Sequence, residues 1–230
     1  FLGNSLNLSP SPQLGQYYIV PYEVKLKDSD GKIIYRKDEN GNNLNDNKGK
    51  WIALTEKKAQ FQIGYKGYIQ LAIRSGQYKH LNVLPIKQGE LVKFDPLKEE
   101  IVVNLIEDEV QREATKTIGY YAMFEYLNGF QKAIYWSYEK MLSHANQYSQ
   151  AFNAEIYKQM QDGTLPDDDL WKYSSFWYKN FDDMACKTML RQLISKWGIM
   201  SIEIQKAVEN DMGVIQKDGS VQFIDNESKP

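Results

Sequence analysis

Ten of the 30 carboxylates stand in four tight groups, at Glu99 with Glu100, Glu107 to Glu109, Asp167 to Asp169, and Asp182 with Asp183. Paired acids can serve general acid–base or two-metal phosphoryl chemistry, but a two-metal site needs carboxylates converging from several strands. These are chain neighbours in turns or helix starts. Asp182 and Asp183 open a helix, where negative charge favours the helix dipole. Two histidines (His80, His144) and a single cysteine (Cys186) supply too few ligands for a zinc centre. No G-x4-G-K-[ST], G-x-G-x-x-G, H-E-x-x-H or G-x-S-x-G pattern occurs, Gly49-Lys50-Trp51 lacking both hydroxyl and spacing. The residues predict no catalytic group, no metal and no cofactor, and ATP-driven or hydrolytic activity finds no support.

The cations are arranged differently. Residues 57–98 hold eight basic and two acidic side chains, and 99–113 hold six acidic and one basic. Residues 155–183 hold seven acidic and three basic, while 184–198 carry Lys187, Arg191 and Lys196 with no acid. Two basic segments coincide with helical periodicity. Lys66, Gln70 and Arg74 recur at four-residue spacing, and so do Lys187, Arg191 and Ser195, with Thr188 and Gln192 beside them. Cys186 falls on the apolar side. Solvated helix faces usually mix signs, because alternating pairs support the helix. Stripes without a carboxylate suit a polyanion, Lys and Arg meeting phosphates while Gln, Thr and Ser add neutral hydrogen bonds. Periodicity alone also allows an ordinary polar face that lacks acids.

The elements that must position these side chains read as strands first and helices later. Strand character covers 17–27, with Pro21 at an edge or bulge. Three turn clusters, DSDGK, ENGNN and DNKGK, fill 28–50 as a hairpin excursion. Strands follow at 51–54 and 59–65, then a helix at 64–75 stopped by Gly76. Further strands are expected at 78–87, 91–94, 101–106, 117–127 and 130–136, with Asn128-Gly129 as a two-residue hairpin turn. Helices are expected at 137–149, 151–161, 181–197 (ended by Gly198) and 201–211, before a polar tail. No internal repeat is evident. The pattern predicts an α+β fold: a small antiparallel sheet with β-hairpins packed on helices, one of them long.

Composition bounds the rest. The chain has 230 residues and 16 Tyr, 9 Phe and 5 Trp, aromatic enough to build a core rather than stay disordered. One cysteine forbids an intrachain disulfide and fits a reducing compartment. No apolar run approaches the roughly 18 residues of a membrane span. The start at Phe1 reads as trimmed, with no signal peptide. The net charge of −2 speaks against a nucleic-acid partner only until its banding is seen.

Gln60-Phe61-Gln62-Ile63-Gly64-Tyr65-Lys66-Gly67, then Leu71-Ala72 and Arg74-Ser75-Gly76, resembles the signature of the RecT family of phage single-strand annealing proteins. Leu14-Gly15-Gln16 with Tyr18-Ile19-Val20-Pro21-Tyr22 fits the strand before it. Ile118-Gly119-Tyr120-Tyr121-Ala122, Phe181-Asp182, Met184, Lys187-Thr188 and Arg191 resemble the family's other fixed points. The likeness spans residues 10 to 200 with the blocks in order. One departure is the long stretch between Tyr22 and Phe61, an insertion within 23–58 that either touches a neighbouring subunit or decorates the surface.

The resemblance implies a non-hydrolytic recombinase that binds single-stranded DNA and anneals complementary strands without ATP, as an oligomeric ring or filament. It implies a phage 5′–3′ exonuclease as partner, no membrane, the cytoplasm of a bacterial host, and a core related to the lambda Beta protein. The long helix would then line a DNA groove within a core of residues 1–198, followed by a helical segment and tail at 199–230. Candidate DNA-binding residues are Lys66, Gln70, Arg74, Lys79, His80, Gln62, Lys187, Thr188, Arg191 and Gln192. Tyr65, Tyr78 or His80 are candidates for stacking on bases. Contacts to phosphate leave base edges free, so a second strand is tested by Watson–Crick pairing. The competing expectation is an oligomeric phage structural or scaffold protein that anneals no DNA.

Overall fold

The computed structural model describes residues 2–46, 49–149, 151–199, 201–211, 213–215 and 221–222. In chain order they form α1 (Leu2–Ser5), β1 (Tyr17–Lys25), β2 (Thr55–Ile63), α2 (Tyr65–Arg74), β3 (Tyr78–Lys87), β4 (Leu91–Asp95), β5 (Glu100–Val103) and α3 (Glu109–Ala114). There follow β6 (Thr117–Tyr126), β7 (Gln131–Ser137), α4 (Tyr138–Tyr148), α5 (Ala154–Gln161), a 3-10 turn (Asp167–Lys172), α6 (Phe176–Lys179), α7 (Phe181–Trp197), α8 (Ile202–Asn210), β8 (Val214–Ile215) and β9 (Val221–Gln222). The architecture is α+β with small antiparallel sheets, as the pattern of elements predicts.

The chain forms two compact units. The larger contains residues 1–17 and 63–209. Its centre is the antiparallel sheet β3-β6-β7, in which Leu81 faces Phe124, Val83 faces Ala122 and Ala122 faces Ile134. Alternation along β6 sends Tyr120, Ala122, Phe124 and Tyr126 to one face, where all four are buried. Met141 and Ala145 of α4, Phe152, Tyr157 of α5, and Phe181, Ala185, Met189 and Leu193 of α7 close over them. The turn between β6 and β7 is longer than Asn128-Gly129 alone implies. Tyr126 N–H donates to the Phe130 carbonyl at 2.8 Å, leaving three loop residues with Gly129 at φ 84°. That is the three-residue hairpin geometry, which needs glycine at its left-handed position.

Local chemistry sets the helix boundaries. The side chain of Ser137 accepts from Lys140 N–H to start α4, and that of Asn153 accepts from Glu155 and Ile156 N–H to start α5. α3, which the sequence pattern does not suggest, is started by Asp108 accepting from Gln111 N–H. It buries none of its residues, so no apolar period marks it.

The smaller unit contains residues 18–62 and 210–224. Its sheet runs β1-β2-β8-β9, with Gln60 opposite Val214 and Ala59 opposite Ile215. The strand pairing of β8 and β9 lies in what reads from sequence as a polar tail. The 28–50 excursion is a branched set of short hairpins whose Asp28, Asp38 and Asp46 make matching hydrogen bonds at the described residues, a repeat that residue types alone do not reveal. Asp28 accepts from Asp30 and Lys32 N–H, Asp38 from Asn40 and Asn42 N–H, and Asp46 from Lys50 N–H. Gly31, Gly41 and Gly49 each take a positive φ, between 76° and 85°. Spacings of ten and then eight residues between these Asp-x-x-Gly units give the repeat no fixed period.

Candidate nucleic-acid interface

α2 lies against α7. Gly67, Tyr68, Leu71 and Ala72 bury one face of α2, and the opposite face exposes Lys66, Gln70 and Arg74, as the spacing requires. Three of Arg74's donors are engaged. Its Nη2 donates to the Leu6 carbonyl at 2.7 Å, Nη1 to that of Asn7 at 3.3 Å and Nε to that of Gln70 at 3.3 Å. A guanidinium carries five N–H groups; two of Arg74's tie the N-terminal segment to α2, one bonds back within the helix, and the other two take no hydrogen bond among the described residues.

On α7 the expected stripe is only partly at the surface. Arg191 and Gln192 are half-buried, and the Thr188 hydroxyl donates to the Met184 carbonyl at 2.9 Å. Lys187, which the helical wheel groups with Arg191, is 6% exposed. The wheel assumes one buried side per helix, but α7 packs against α2, α6 and the β3-β6-β7 sheet, so its dry arc is wider than its apolar stripe. A long lysine stem fills such an arc while its ammonium seeks polar company.

Arg191 has company that the sequence does not reveal. Its charge and that of Lys140 of α4 bear on His144, whose imidazole is pushed below its ordinary value, first by burial and then by these two cations. The His144 ring meets Trp136 at 5.2 Å and Tyr148 at 4.6 Å, and the Lys140 ammonium lies 4.5 Å from the Trp136 centroid. Cations interleaved with aromatic rings are the surface that single strands stack and pair upon. His144 and Lys140 lie four residues apart on α4, but only the tertiary fold brings His144 within reach of the Arg191 charge.

Lys79 and His80 begin β3. The Lys79 ammonium donates to Glu125 at 2.7 Å, and His80 stands 4.0 Å from the same carboxylate. Both are exposed. Tyr78 packs edge-on against Phe124 and Tyr126, and its hydroxyl donates to the Ile199 carbonyl at 3.3 Å, so its ring is a packing element. Gln62 belongs to the smaller unit, where its amide donates to Gln60 at 2.7 Å.

The acids near this surface have structural work. Asp182 accepts from the Tyr120 hydroxyl at 2.6 Å and from Thr117 at 3.2 Å, so it pins the start of α7 to β6. Asp183 is held above the usual carboxylate range by burial, against the pull of Lys66 and with the help of Asp182. They border a cavity of about 750 Å³ lined also by Lys116, Lys158 and Lys179. Cys186 is buried with its thiol pushed up to about 12 by burial and then by Asp182 and Asp183, so it is inert as a nucleophile. Among the described residues no helix is long and apolar enough to cross a membrane.

The chain belongs to the RecT family, whose model matches residues 1–223. It is 42% identical over 184 residues to the uncharacterized protein YqaK of Bacillus subtilis (strain 168), covering 77% of this chain and 55% of that protein. It is 26% identical over 208 residues to protein RecT of Escherichia coli (strain K12), covering 90% of this chain and 59% of that protein. The chain thus spans between half and two thirds of the length of these relatives. The family read from Gln60 to Gly67 and from the blocks downstream is the one that the whole-chain match identifies.

Proposed function

We propose that this chain binds single-stranded DNA and anneals complementary strands in phage-type homologous recombination, without ATP and as an oligomer. Membership of the RecT family over residues 1–223 carries the reading. The surface chemistry supports it: exposed Lys66, Gln70 and Arg74 on α2, and Arg191, whose charge bears on His144, with Lys140 and the His144 ring against Trp136, together offer phosphate contacts and rings. In this reading Lys66, Arg74, Lys79 and Arg191 supply positive charge along a groove lined by α7, Lys187 adds its charge from beneath that surface, and Gln70, His80, Thr188 and Gln192 supply polar contacts, while Gln62 is a separate polar contact on the smaller unit. The fold would be related to Beta-type annealing cores. Pairing energy and subunit packing drive the product, so no nucleotide need be hydrolysed. A 5′–3′ exonuclease in the bacterial host would supply the exposed strand, and the annealed duplex would remain bound as an intermediate.

Fluorescence anisotropy with a labelled oligonucleotide across a salt series tests the binding. Replacing Lys66 or Arg191 by Gln should weaken binding alike for all base sequences, and lower the salt slope by about 0.7 for each phosphate no longer neutralised. An unchanged slope in both variants would remove them from the interface. Adding the complementary strand, labelled for energy transfer, then reads annealing; binding without pairing would favour a coating protein.

A further inference from the structure

The branched hairpins at 26–54 have two chemically distinct faces. Two closed rings of backbone hydrogen bonds organise them. Leu26 N–H donates to Leu54 at 2.8 Å, Leu54 N–H to Ile34 at 2.8 Å, and Ile34 N–H to Leu26 at 2.9 Å. Arg36, Ile52 and Leu44 repeat the cycle, each bond 2.8 Å. Each ring is a three-way junction from which hairpins diverge. Between and beyond the rings lie the paired positions Lys27 with Ile33, Tyr35 with Ala53, Lys37 with Asn43, and Asn45 with Trp51.

Strand alternation puts the junction residues on one face and these paired residues on the other. Contact between the Tyr35 and Trp51 rings, 5.2 Å apart and edge-on, agrees with their sharing a face. That face therefore presents Tyr35, Trp51, Lys27, Lys37, Asn43 and Asn45 together, with no carboxylate among the paired residues. Trp51 is 59% exposed, a high cost for the largest apolar side chain unless something covers it. None of the five hairpin acids holds a paired position: Asp28, Asp38 and Asp46 accept from turn N–H groups, and Asp30 and Glu39 lie in the turns as well. Those N–H groups, Asn42's first, hold Asp38 below its usual range, so it stays a fixed partner of its own turn.

We infer that this face is a second contact surface for single-stranded DNA, with bases stacked on Trp51 and Tyr35 and phosphates held by Lys27 and Lys37. Aromatic rings beside lysines suit a strand of any sequence, since every base has a π face and every linkage a charge. Asn43 and Asn45 add neutral donors. The opposite face, with Leu26, Ile34, Leu44, Ile52 and Leu54 around Arg36, has no such chemistry. The inference rests on the proposed function and extends it to the segment 23–58.

The test uses the full chain and a labelled oligo-dT strand. Trp51→Ala should weaken binding by about tenfold, the usual scale for losing one stacked base. Lys27→Gln with Lys37→Gln should lower the salt slope by about 1.4 at unchanged circular dichroism, both side chains being exposed. Arg36→Gln, on the opposite face, should leave the slope unaltered. Ultraviolet cross-linking of a bromouracil oligonucleotide should label Trp51 or Tyr35 in the wild-type protein. If the wild-type protein binds the strand while the lysine variant keeps its slope and no adduct forms at either ring, the surface is not a DNA contact. If the wild-type protein binds no strand at any salt, the proposed function falls and this inference with it.

Discussion

Replacing Glu90 by Ala is expected to destabilise the protein by about 3–5 kcal/mol, the scale for breaking a buried ion pair from one side. The Glu90 side chain is fully buried. It accepts from Arg112 Nε at 2.6 Å and Nη2 at 3.3 Å, from Lys87 N–H at 2.7 Å and from Ile106 N–H at 3.1 Å. Arg112 also donates to the Pro85 carbonyl at 2.8 Å. One carboxylate thus ties the end of β3, the segment after β5 and α3. Its loss leaves a mostly buried guanidinium and two half-buried N–H groups without their acceptor.

The same site predicts a pH dependence. Burial by itself pushes the Glu90 carboxyl up, but Arg112 and the N–H groups of Lys87 and Ile106 overcome it and hold the group below its ordinary range. A carboxyl depressed in the folded state stabilises fully above its unfolded value, and the contribution fades as pH falls through the folded one. Urea midpoints should therefore drop between about pH 5 and 3 in the wild-type protein, and less steeply in Glu90→Gln. Equal midpoints for wild type and Glu90→Ala at neutral pH would show that the pair contributes nothing net.

The second large effect is at Gly67. A Cβ there would stand 2.1 Å from the Gln16 carbonyl oxygen and 2.9 Å from Ile63 Cγ2. The oxygen cannot rotate aside, because it is backbone and accepts from Gly64 N–H at 3.0 Å. Ala in a helix interior gains up to about 1 kcal/mol over Gly, yet relieving so short a backbone contact means moving α2 off the chain at Gln16. Overpacking of that kind costs about 1–3 kcal/mol, and this contact belongs at its upper end. A net loss near 2 kcal/mol is expected, about 4–8 °C in Tm for a chain of this size, and, if the proposed function holds, weaker DNA binding too, since α2 carries the proposed contacts Lys66 and Arg74. An unchanged or raised Tm in Gly67→Ala would mean that α2 and the chain at Gln16 separate at little cost. Gly67 is required by close packing, which explains why the first turn of α2 holds a residue that favours helices so little.

The regular elements were legible because their determinants are local. Period-two alternation marks Tyr78–Lys87 and Thr117–Tyr126, and a four-residue period with Gly198 as stop marks Phe181–Trp197. Lys66, Gln70 and Arg74 were legible as an exposed face for the same reason. Lys187 was not, since α7 is covered on more than one side and a wheel drawn on one helix contains no neighbours. His144 reads in the sequence only as one of too few metal ligands, and its four-residue spacing from Lys140 gives no hint of the Arg191 charge that the fold brings to it.

By itself, the sequence determined the family, the order of the longer strands and helices, and the banding of charge that makes a net of −2 uninformative about polyanions. Those follow from residue types and short spacings. The tertiary structure decided what depends on distant residues meeting: Glu90 with Arg112, Arg191 with His144, Asp182 with Tyr120, and Tyr35 with Trp51 across the hairpins. Charges and rings act over a few ångströms of space, and spacing along a chain fixes that distance only within one helix or hairpin.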